Sequence, residues 1–165
     1  MNFNIVQFHS GQLKDVKSLI DQEFGKYYSD SKKFMNSNFF GFCLIVDSRI
    51  VGFASYLTES DKVCKLDLIV LEPEFRGKGL GKKLFEYRLR SITKRTSPRK
   101  IYLNHWVKSD SPIPLVAIKF GFEKKTSISG FWREESLTLK YECKECRKKP
   151  CVCTCDIYEL LLSND

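Results

Sequence analysis

The chain has 165 residues, of which 42% are hydrophobic, so residues 1–165 are expected to form a single domain with an apolar core rather than a disordered chain. No apolar run approaches the roughly 20 residues of a membrane helix, and residues 1–10 lack the pattern of a signal peptide, which predicts a soluble cytoplasmic protein without a membrane partner. The net charge is +8, and residues 76–100 contain ten Lys or Arg against one acid, which predicts either a polyanionic ligand or a solvated basic face.

The first part of the chain alternates between strand and helix patterns. After a short alternating segment, the apolar residues from Leu13 to Tyr27 recur at helical spacing, and the polar residues 29–38 predict a short helix or a loop. Asp47-Ser48-Arg49 separates two apolar runs as a hairpin turn would. The predicted strands are residues 3–8, 40–46, 50–57 and 63–71.

The second part begins with a helix over residues 79–96, which Ser97-Pro98 ends. A shorter helix over residues 112–120 stops at Gly121. The predicted strands are residues 101–107, 122–129, 136–141 and 157–162. Hairpins followed by a strand–helix–strand unit predict an α/β fold with a central mixed β-sheet flanked by helices.

A glycine-rich loop lies between the strand 63–71 and the helix 79–96. Its sequence is Arg76-Gly77-Lys78-Gly79-Leu80-Gly81-Lys82. Three glycines in five residues allow tight turning and close approach to a ligand, and the N–H groups at the start of the helix favour an anion. Arg76, Lys78 and Lys82 add positive charge, which suits a pyrophosphate. The spacing is not that of a Walker loop, and the alternative is a glycine-rich turn with a solvated basic face.

Residues 63–122 resemble the GNAT superfamily of N-acetyltransferases. The signature of that family is similar to Leu71-Glu72-Pro73-Glu74-Phe75-Arg76-Gly77-Lys78-Gly79-Leu80-Gly81, and its second motif to Ile118-Lys119-Phe120-Gly121-Phe122. The resemblance implies a GNAT-like acyl-CoA N-acyltransferase fold with acetyl-CoA as co-substrate. It implies that the backbone of Ile69, Val70 and Leu71 pairs with the pantetheine arm, and that the N–H groups of residues 76–81 hold the pyrophosphate.

Transfer of an acyl group to an amine requires a base, a donor for the developing oxyanion and an acid for the leaving group. His105 lies where some members of the family have a glutamate base, and a histidine with a pKa of about 6.5 suits this role. Asp67 lies on the preceding strand and, by two-residue alternation, on the same side as Ile69 and Leu71. If these two strands are neighbours, as the resemblance implies, Asp67 and His105 could share a hydrogen bond or a water chain. The alternative is that both residues are structural.

The sequence departs from the family pattern at the residue that serves as general acid for the leaving thiolate. The tyrosine that many relatives use corresponds to Ala117, and the asparagine seven residues earlier corresponds to Asp110. A thiolate with a pKa of about 8.5 can leave unassisted or through water, so the tyrosine is not strictly required.

Five of the seven cysteines fall within residues 143–155, here called the cysteine segment. In a cytosolic chain such a cluster predicts a metal before disulfides, and four thiolates suit a structural zinc ion. The predicted ligands are Cys143, Cys146, Cys151 and Cys153, with Cys155 as a substitute. An iron–sulfur cluster and metal-free thiols are the alternatives.

Two functions follow from these patterns. The first is an N-acetyltransferase that transfers an acetyl group from acetyl-CoA to an amine, of a small molecule or a protein, by direct attack in a ternary complex. The second is a catalytically degenerate CoA-binding or zinc-knuckle module that contacts protein or nucleic acid. The expected partners are acetyl-CoA and an unidentified amine, with nucleic acid disfavoured, and the expected state is a monomer or a homodimer.

Overall fold

The computed structural model describes residues 2–108 and 110–163. Its strands form a seven-stranded sheet in the order β1-β2-β3-β4-β5-β7-β6. The strands are β1 (Phe3–Gln7), β2 (Phe39–Val46), β3 (Arg49–Ser60), β4 (Val63–Leu71), β5 (Lys100–Trp106), β6 (Glu123–Ile128) and β7 (Cys155–Leu161). The helices are α1 (Leu13–Phe24), α2 (Leu80–Arg95), α3 (Ile113–Lys119) and α4 (Arg133–Leu139), with short 3-10 turns at Ser10–Gln12, Tyr28–Ser31 and Pro73–Phe75.

The sheet is mixed, as the sequence predicts. Strands β1 to β4 pair antiparallel, β4 and β5 pair parallel, and β5, β7 and β6 pair antiparallel. A parallel pair needs a long crossover, and α2 supplies it between β4 and β5. None of the helices in the described residues is both long and apolar enough to cross a membrane.

Two apolar cores lie on the two faces of this sheet. The α2 core contains Leu80, Leu84 and Phe85 of the helix, packed against buried residues of the strands. The α1 core contains Val16 and Ile20 of α1 and is rich in aromatic rings. The sheet is therefore covered on both sides, which fits a strand pattern as apolar as that of β4.

A β-bulge interrupts the alternation of β4. Ala54 of β3 pairs with Ile69 and Tyr56 pairs with Leu66, so two steps on β3 span three on β4. The guanidinium of Arg88, which is only 2% exposed, donates hydrogen bonds to the Ser55 carbonyl at 3.0 Å and the Leu68 carbonyl at 2.7 Å. Arg88 thus stabilises the bulge from its buried position on α2. The sequence pattern had counted it among the ten basic residues of a charged surface or ligand site.

The strand predicted for residues 136–141 is wrong. Residues Arg133–Leu139 form α4, with Glu134 and Glu135 in its first turn, where carboxylates favour a helix start. Ser136 is fully buried while Leu137 is 45% exposed. The prediction began at Ser136 and therefore left out Glu134 and Glu135, whose carboxylates favour the start of a helix.

Candidate active site and four-cysteine cluster

A gap opens between the carboxyl ends of β4 and β5. The two strands pair only where residues Val63–Leu66 face Lys100–Leu103, yet β4 continues to Leu71 and β5 to Trp106. Over Ile69 to Leu71, β4 is bonded to β3 on one edge, and its other edge faces the gap. Backbone groups on such an edge are suited to pair with an extended ligand, and the carboxyl ends of parallel strands are where α/β proteins bind ligands.

The glycine loop leads from this gap into α2. Gly77 and Gly79 have φ values of 72° and 76°, which favour glycine. A Cβ atom on either would have nothing within 4 Å, so the space in front of the loop is open. Gly79 is the N-cap of the 16-residue helix α2, whose first N–H groups are then available to an anion. The loop therefore has both the shape and the polarity for a pyrophosphate.

The Arg76 side chain turns back towards the strand instead of joining the front of the loop. Its Nε and Nη2 atoms donate to the Leu71 carbonyl at 3.0 and 2.8 Å, and Nη2 lies 2.6 Å from Glu23 Oε2. Arg76 thus holds the end of β4 in place, and its charge is shared with a carboxylate.

Glu23, at the end of α1, connects the two strands that form the gap. Besides Arg76, it binds Lys108 Nζ at 3.1 Å, two residues beyond the end of β5. Burial alone would raise the pKa of Glu23, but the bonds and charges of Arg76 and Lys108 outweigh it and lower the pKa. No sequence pattern signals this residue, because its partners are 53 and 85 positions away.

His105 is buried on β5, with 7% of its surface exposed. Its Nε2 atom lies 2.9 Å from Ser111 Oγ, and its Nδ1 atom is buried without a hydrogen-bond partner among the described residues. The pKa of His105 is lowered chiefly by burial; Asp156 opposes this shift, while Lys108 and Lys124 add to it. A neutral imidazole at neutral pH is the form that can accept a proton.

Asp67 is buried at the bulge of β4. Its Oδ1 atom lies 3.2 Å from Lys32 Nζ, and its Oδ2 atom accepts from Ser55 Oγ at 3.5 Å. The Lys32 ammonium also lies 5.0 Å from the centre of the Tyr28 ring. Although burial disfavours its charge, the neighbouring Tyr28, Asp67 and Glu135 raise the pKa of Lys32.

The expected contact between Asp67 and His105 is wrong. Asp67 binds Lys32 above Tyr28, which belongs to the α1 core, whereas His105 lies 6.3 Å from the Tyr158 ring of the α2 core. The two side chains are therefore on opposite faces of the sheet. The bulge shifts the alternation within β4, and simple two-residue counting cannot detect it.

Ala117 is fully buried in α3, so the described helix presents no hydroxyl at the position of the family's acid. On the opposite face, Trp106 stacks on Trp132 with ring centres 4.6 Å apart. The Nε1 atom of Trp106 is buried without a described partner.

Four cysteines meet in the cysteine segment. The sulfur atoms of Cys143, Cys146, Cys151 and Cys153 all lie within 4.8 Å of one another. The Cys143–Cys153 and Cys146–Cys151 sulfur distances are 3.7 and 3.9 Å, too long for disulfides. A tetrahedral zinc ion with Zn–S bonds of about 2.3 Å sets sulfur atoms roughly 3.8 Å apart. The four thiols therefore fit a metal ion of this kind.

Cys155 is not part of the group that these four form. It lies buried on β7, opposite Trp106 on one side and Ile128 on the other. Its role as a substitute ligand is therefore not supported, because the strand fixes its position away from the cluster.

The cysteine segment packs against the end of α1. The Lys144 N–H donates to the Phe24 carbonyl at 3.4 Å, and the Cys151 N–H donates to Ser136 Oγ of α4 at 2.9 Å. Gly25 ends α1 with a φ of 124°, and a Cβ atom there would lie 1.9 Å from the Glu142 carbonyl oxygen. Glycine is thus required where the two segments cross.

A cavity of about 710 Å³ lies between the end of α1 and the cysteine segment. Its α1 side contains Asp21, Glu23 and Lys26, and Lys108 reaches it from beyond β5. The cysteine segment supplies the opposite wall, with Lys144, Glu145, Arg147, Lys148 and Lys149. Its size is that of a small-ligand site, and its lining is strongly charged.

Comparison with known proteins identifies the fold. A sequence profile described as the acetyltransferase (GNAT) family matches residues 13–122, which are 110 of the 165 residues. A search of curated proteins found no match.

Similar solved structures cover nearly the whole chain. The ribosomal-protein-S18-alanine N-acetyltransferase of Escherichia coli is 16% identical, with a TM-score of 0.77 over 99% of this chain and 96% of that one. NAA60 of Arabidopsis thaliana, in complex with a bisubstrate analogue, is 11% identical, with a TM-score of 0.75 over 98% and 100%. A GNAT family acetyltransferase of Elizabethkingia anophelis with acetyl-CoA bound is 16% identical, with a TM-score of 0.66 over 98% and 99%.

The family profile covers two thirds of the sequence, and the matched residues include β4, the glycine loop and α2. The chain belongs to the GNAT family of acetyltransferases.

Proposed function

We propose that the protein transfers an acetyl group from acetyl-CoA to an amine by direct attack in a ternary complex. The observation that supports this most is the gap between β4 and β5 beside the open glycine loop. One extended molecule with a diphosphate at one end fits these two features together. The acetyl-CoA-bound structure of the Elizabethkingia relative is consistent with this ligand.

The cofactor contacts follow from this placement. The free edge of Ile69, Val70 and Leu71 is assigned to the pantetheine arm. The loop from Arg76 to Lys82 is assigned to the pyrophosphate, through the N–H groups of Gly77, Lys78, Gly79, Leu80 and Gly81. Lys78 and Lys82 supply charge, whereas Arg76 contributes by holding the end of β4 through Leu71.

The acceptor amine must lose a proton before it attacks the thioester carbon. His105 is the proposed base, because its lowered pKa keeps it neutral and its buried Nδ1 atom has no hydrogen-bond partner among the described residues. The new N–C bond forms as the C–S bond breaks, and the departing thiolate takes its proton from water. Asp67 acts in this proposal from the opposite face, where its carboxylate orders the bulge of β4 through Ser55 and Lys32.

The four-thiol cluster is proposed to hold a structural zinc ion. The sulfur spacing supports it, and Cys143 Sγ also accepts the N–H of Cys146 at 3.4 Å, a contact that orients a thiolate ligand. The proposal includes a single catalytic domain over residues 1–165, a monomer or homodimer, and a cytoplasmic location, where reducing conditions keep thiols available to a metal.

A second candidate is a CoA-binding module without transferase activity, which contacts protein or nucleic acid through the cysteine segment. The buried Ala117 at the acid position favours it. Both candidates require the cofactor, so only turnover separates them.

Thermal unfolding with and without acetyl-CoA, on protein of measured zinc content, tests the proposal. A ligand that binds the native state alone raises the melting temperature. A rise followed by release of CoA in an amine screen supports the transferase. A rise without turnover on any amine supports the binding module, and no rise contradicts both.

A further inference from the structure

We propose that the charged cavity between α1 and the cysteine segment binds the acceptor as an amine at the end of an acidic chain, and that the metal ion builds one wall of it. The inference rests on the proposed transferase function. It adds the chemical class of the acceptor and a purpose for the metal.

The position of the cavity comes first. Glu23 on its α1 side binds Arg76, which binds the carbonyl of Leu71 at the end of β4. Lys108 in its lining is two residues beyond the end of β5 and also binds Glu23. The cavity is therefore tied, on the α1 side, to the carboxyl ends of both strands that form the gap. An amine held there would enter the gap to meet the thioester and His105, which lies on the α2 side.

The charges on its two sides differ. The α1 side presents two carboxylates, Asp21 and Glu23, against one cation, Lys26, so its net sign suits a protonated amine even though Glu23 is also bonded to Arg76 and Lys108. The opposite wall presents four cations, Lys144, Arg147, Lys148 and Lys149, against two acids, Glu142 and Glu145, and the three consecutive cations are all exposed. Lys108 is already shared between Glu23 and Glu145, at 3.1 and 3.8 Å. An amine followed by acidic groups is complementary to this arrangement, and a basic chain is not.

The metal accounts for the shape of the basic wall. Three of the four ligands, Cys146, Cys151 and Cys153, flank residues 147–149 on both sides. In the described residues, this wall contains no helix or strand between residues 143 and 153. Coordination by four thiolates would fix such a segment where regular secondary structure does not, since metal binding and local folding are coupled.

The experiment uses two fluorescein-labelled peptides of equal length with free N-terminal amines. One is alanine followed by glutamate and glycine, and the other is alanine followed by arginine and glycine. Their anisotropy is measured with the zinc-loaded full chain saturated with CoA. The acidic peptide is expected to bind at least about tenfold more tightly, which corresponds to a few exposed charge pairs. Equal binding, preference for the arginine peptide, or binding of neither overturns the inference.

Two variants assign the preference to the cavity. The triple change R147E/K148E/K149E is expected to reverse it without changing acetyl-CoA affinity or zinc content. The matched control, K14E/K62E/K94E, changes three exposed residues at the start of α1, in the turn before β4 and near the end of α2, and is expected to preserve the preference. An unchanged preference in the first variant overturns the inference. Loss of zinc from this variant also overturns the inference, because the role of the three basic side chains would then be to offset the negative charge of the zinc-bound thiolates.

The metal is tested separately. Cys146→Ser is expected to release zinc and to lower the affinity for the acidic peptide about tenfold. Cys155→Ser, outside the cluster, is expected to keep both the zinc content and the peptide affinity unchanged. Unchanged peptide affinity in zinc-free protein overturns the role of the metal. Displacement of the acidic peptide by single-stranded RNA, with affinity falling steeply with salt, would assign the wall to nucleic acid instead. Failure of the transferase proposal is distinguishable, because it appears as absence of an acetyl-CoA thermal shift or of turnover and not in peptide binding.

Discussion

The two ends of the gap between β4 and β5 are built in different ways. On the side proposed to bind the cofactor, here called the cofactor side, the glycine loop and the start of α2 form one continuous stretch, and its geometry is set by local backbone requirements at Gly77 and Gly79. On the side proposed to bind the acceptor, here called the acceptor side, the end of α1 meets the cysteine segment, and its geometry depends on contacts such as Lys144 to Phe24, 120 positions apart in sequence. The geometry of the first side can be predicted from sequence because it depends on neighbouring residues. The geometry of the second side cannot, because it depends on contacts between distant residues.

The difference also concerns how each side would be stabilised. The cofactor side is attached to a 16-residue helix and a central strand. The wall of the acceptor side has neither, and four thiols occupy the place of a hydrophobic core. A change in the loop should therefore affect ligand binding with little unfolding, whereas a change at the crossing of α1 and the cysteine segment should affect folding of that wall.

The largest effect is expected from Gly79→Val on the cofactor side. The φ of 76° costs a non-glycine residue about 1–2 kcal/mol, and the branched side chain would enter the open space before the loop. Acetyl-CoA affinity by calorimetry should fall roughly 100-fold or more. Gly130→Val is the matched control, since Gly130 has a φ of 65° and equally open surroundings away from the loop. Equal loss of affinity in both variants would mean that the loop is not the phosphate site.

What the sequence could predict follows this division except at the cysteine cluster, which lies on the acceptor side but has a short pattern of its own. The loop, the parallel pair around α2 and the grouping of four cysteines are predictable, because each depends on a short pattern with its own chemistry. The sheet faces on which Asp67 and His105 lie were not predictable, because a bulge stabilised by the distant Arg88 shifts the alternation of β4. The role of Glu23 was not either, since nothing near it in sequence points to Arg76. The assignment of catalytic roles stays a prediction.

The acceptor side is tested by Gly25→Ala. An added Cβ atom would lie 1.9 Å from the Glu142 carbonyl oxygen at a φ of 124°, so the crossing must open. The free energy of unfolding in urea should fall by about 3 kcal/mol. In protein stripped of metal the loss should be smaller, because the wall is then already loose. Gly11→Ala, whose Cβ atom would meet only the His9 ring at 3.2 Å, should change stability by less than about 0.5 kcal/mol. The same loss with and without metal would contradict the dependence of the wall on the ion.

The gap itself is tested by His105→Ala. Loss of a general base should lower kcat/KM for an amine roughly 100-fold. Because the pKa of His105 is lowered, the wild-type imidazole stays neutral and active down to a pH below its ordinary value. The ratio of wild-type to variant rates should be largest near neutral pH and shrink above about pH 8, where an α-amine loses its proton unaided. His9→Ala, the other histidine of the chain, should have no effect. A ratio that does not change with pH would exclude His105 as the base.

The smallest effect is expected at the link between the two sides, from Glu23→Gln. The folded-state pKa of Glu23 is lowered by Arg76 and Lys108 in spite of burial, so its contribution to stability is present above its ordinary pKa of 4.5 and is lost as the pH falls through the lowered value. The variant should lose about 1 kcal/mol at neutral pH and nothing in strong acid, as measured by urea unfolding at several pH values. Glu134→Gln, an exposed acid of α4, should change stability by less than about 0.3 kcal/mol at any pH. If Glu23→Gln lowered stability equally at all pH values, the loss would come from packing. The carboxylate would then not connect the ends of the two strands through its charge.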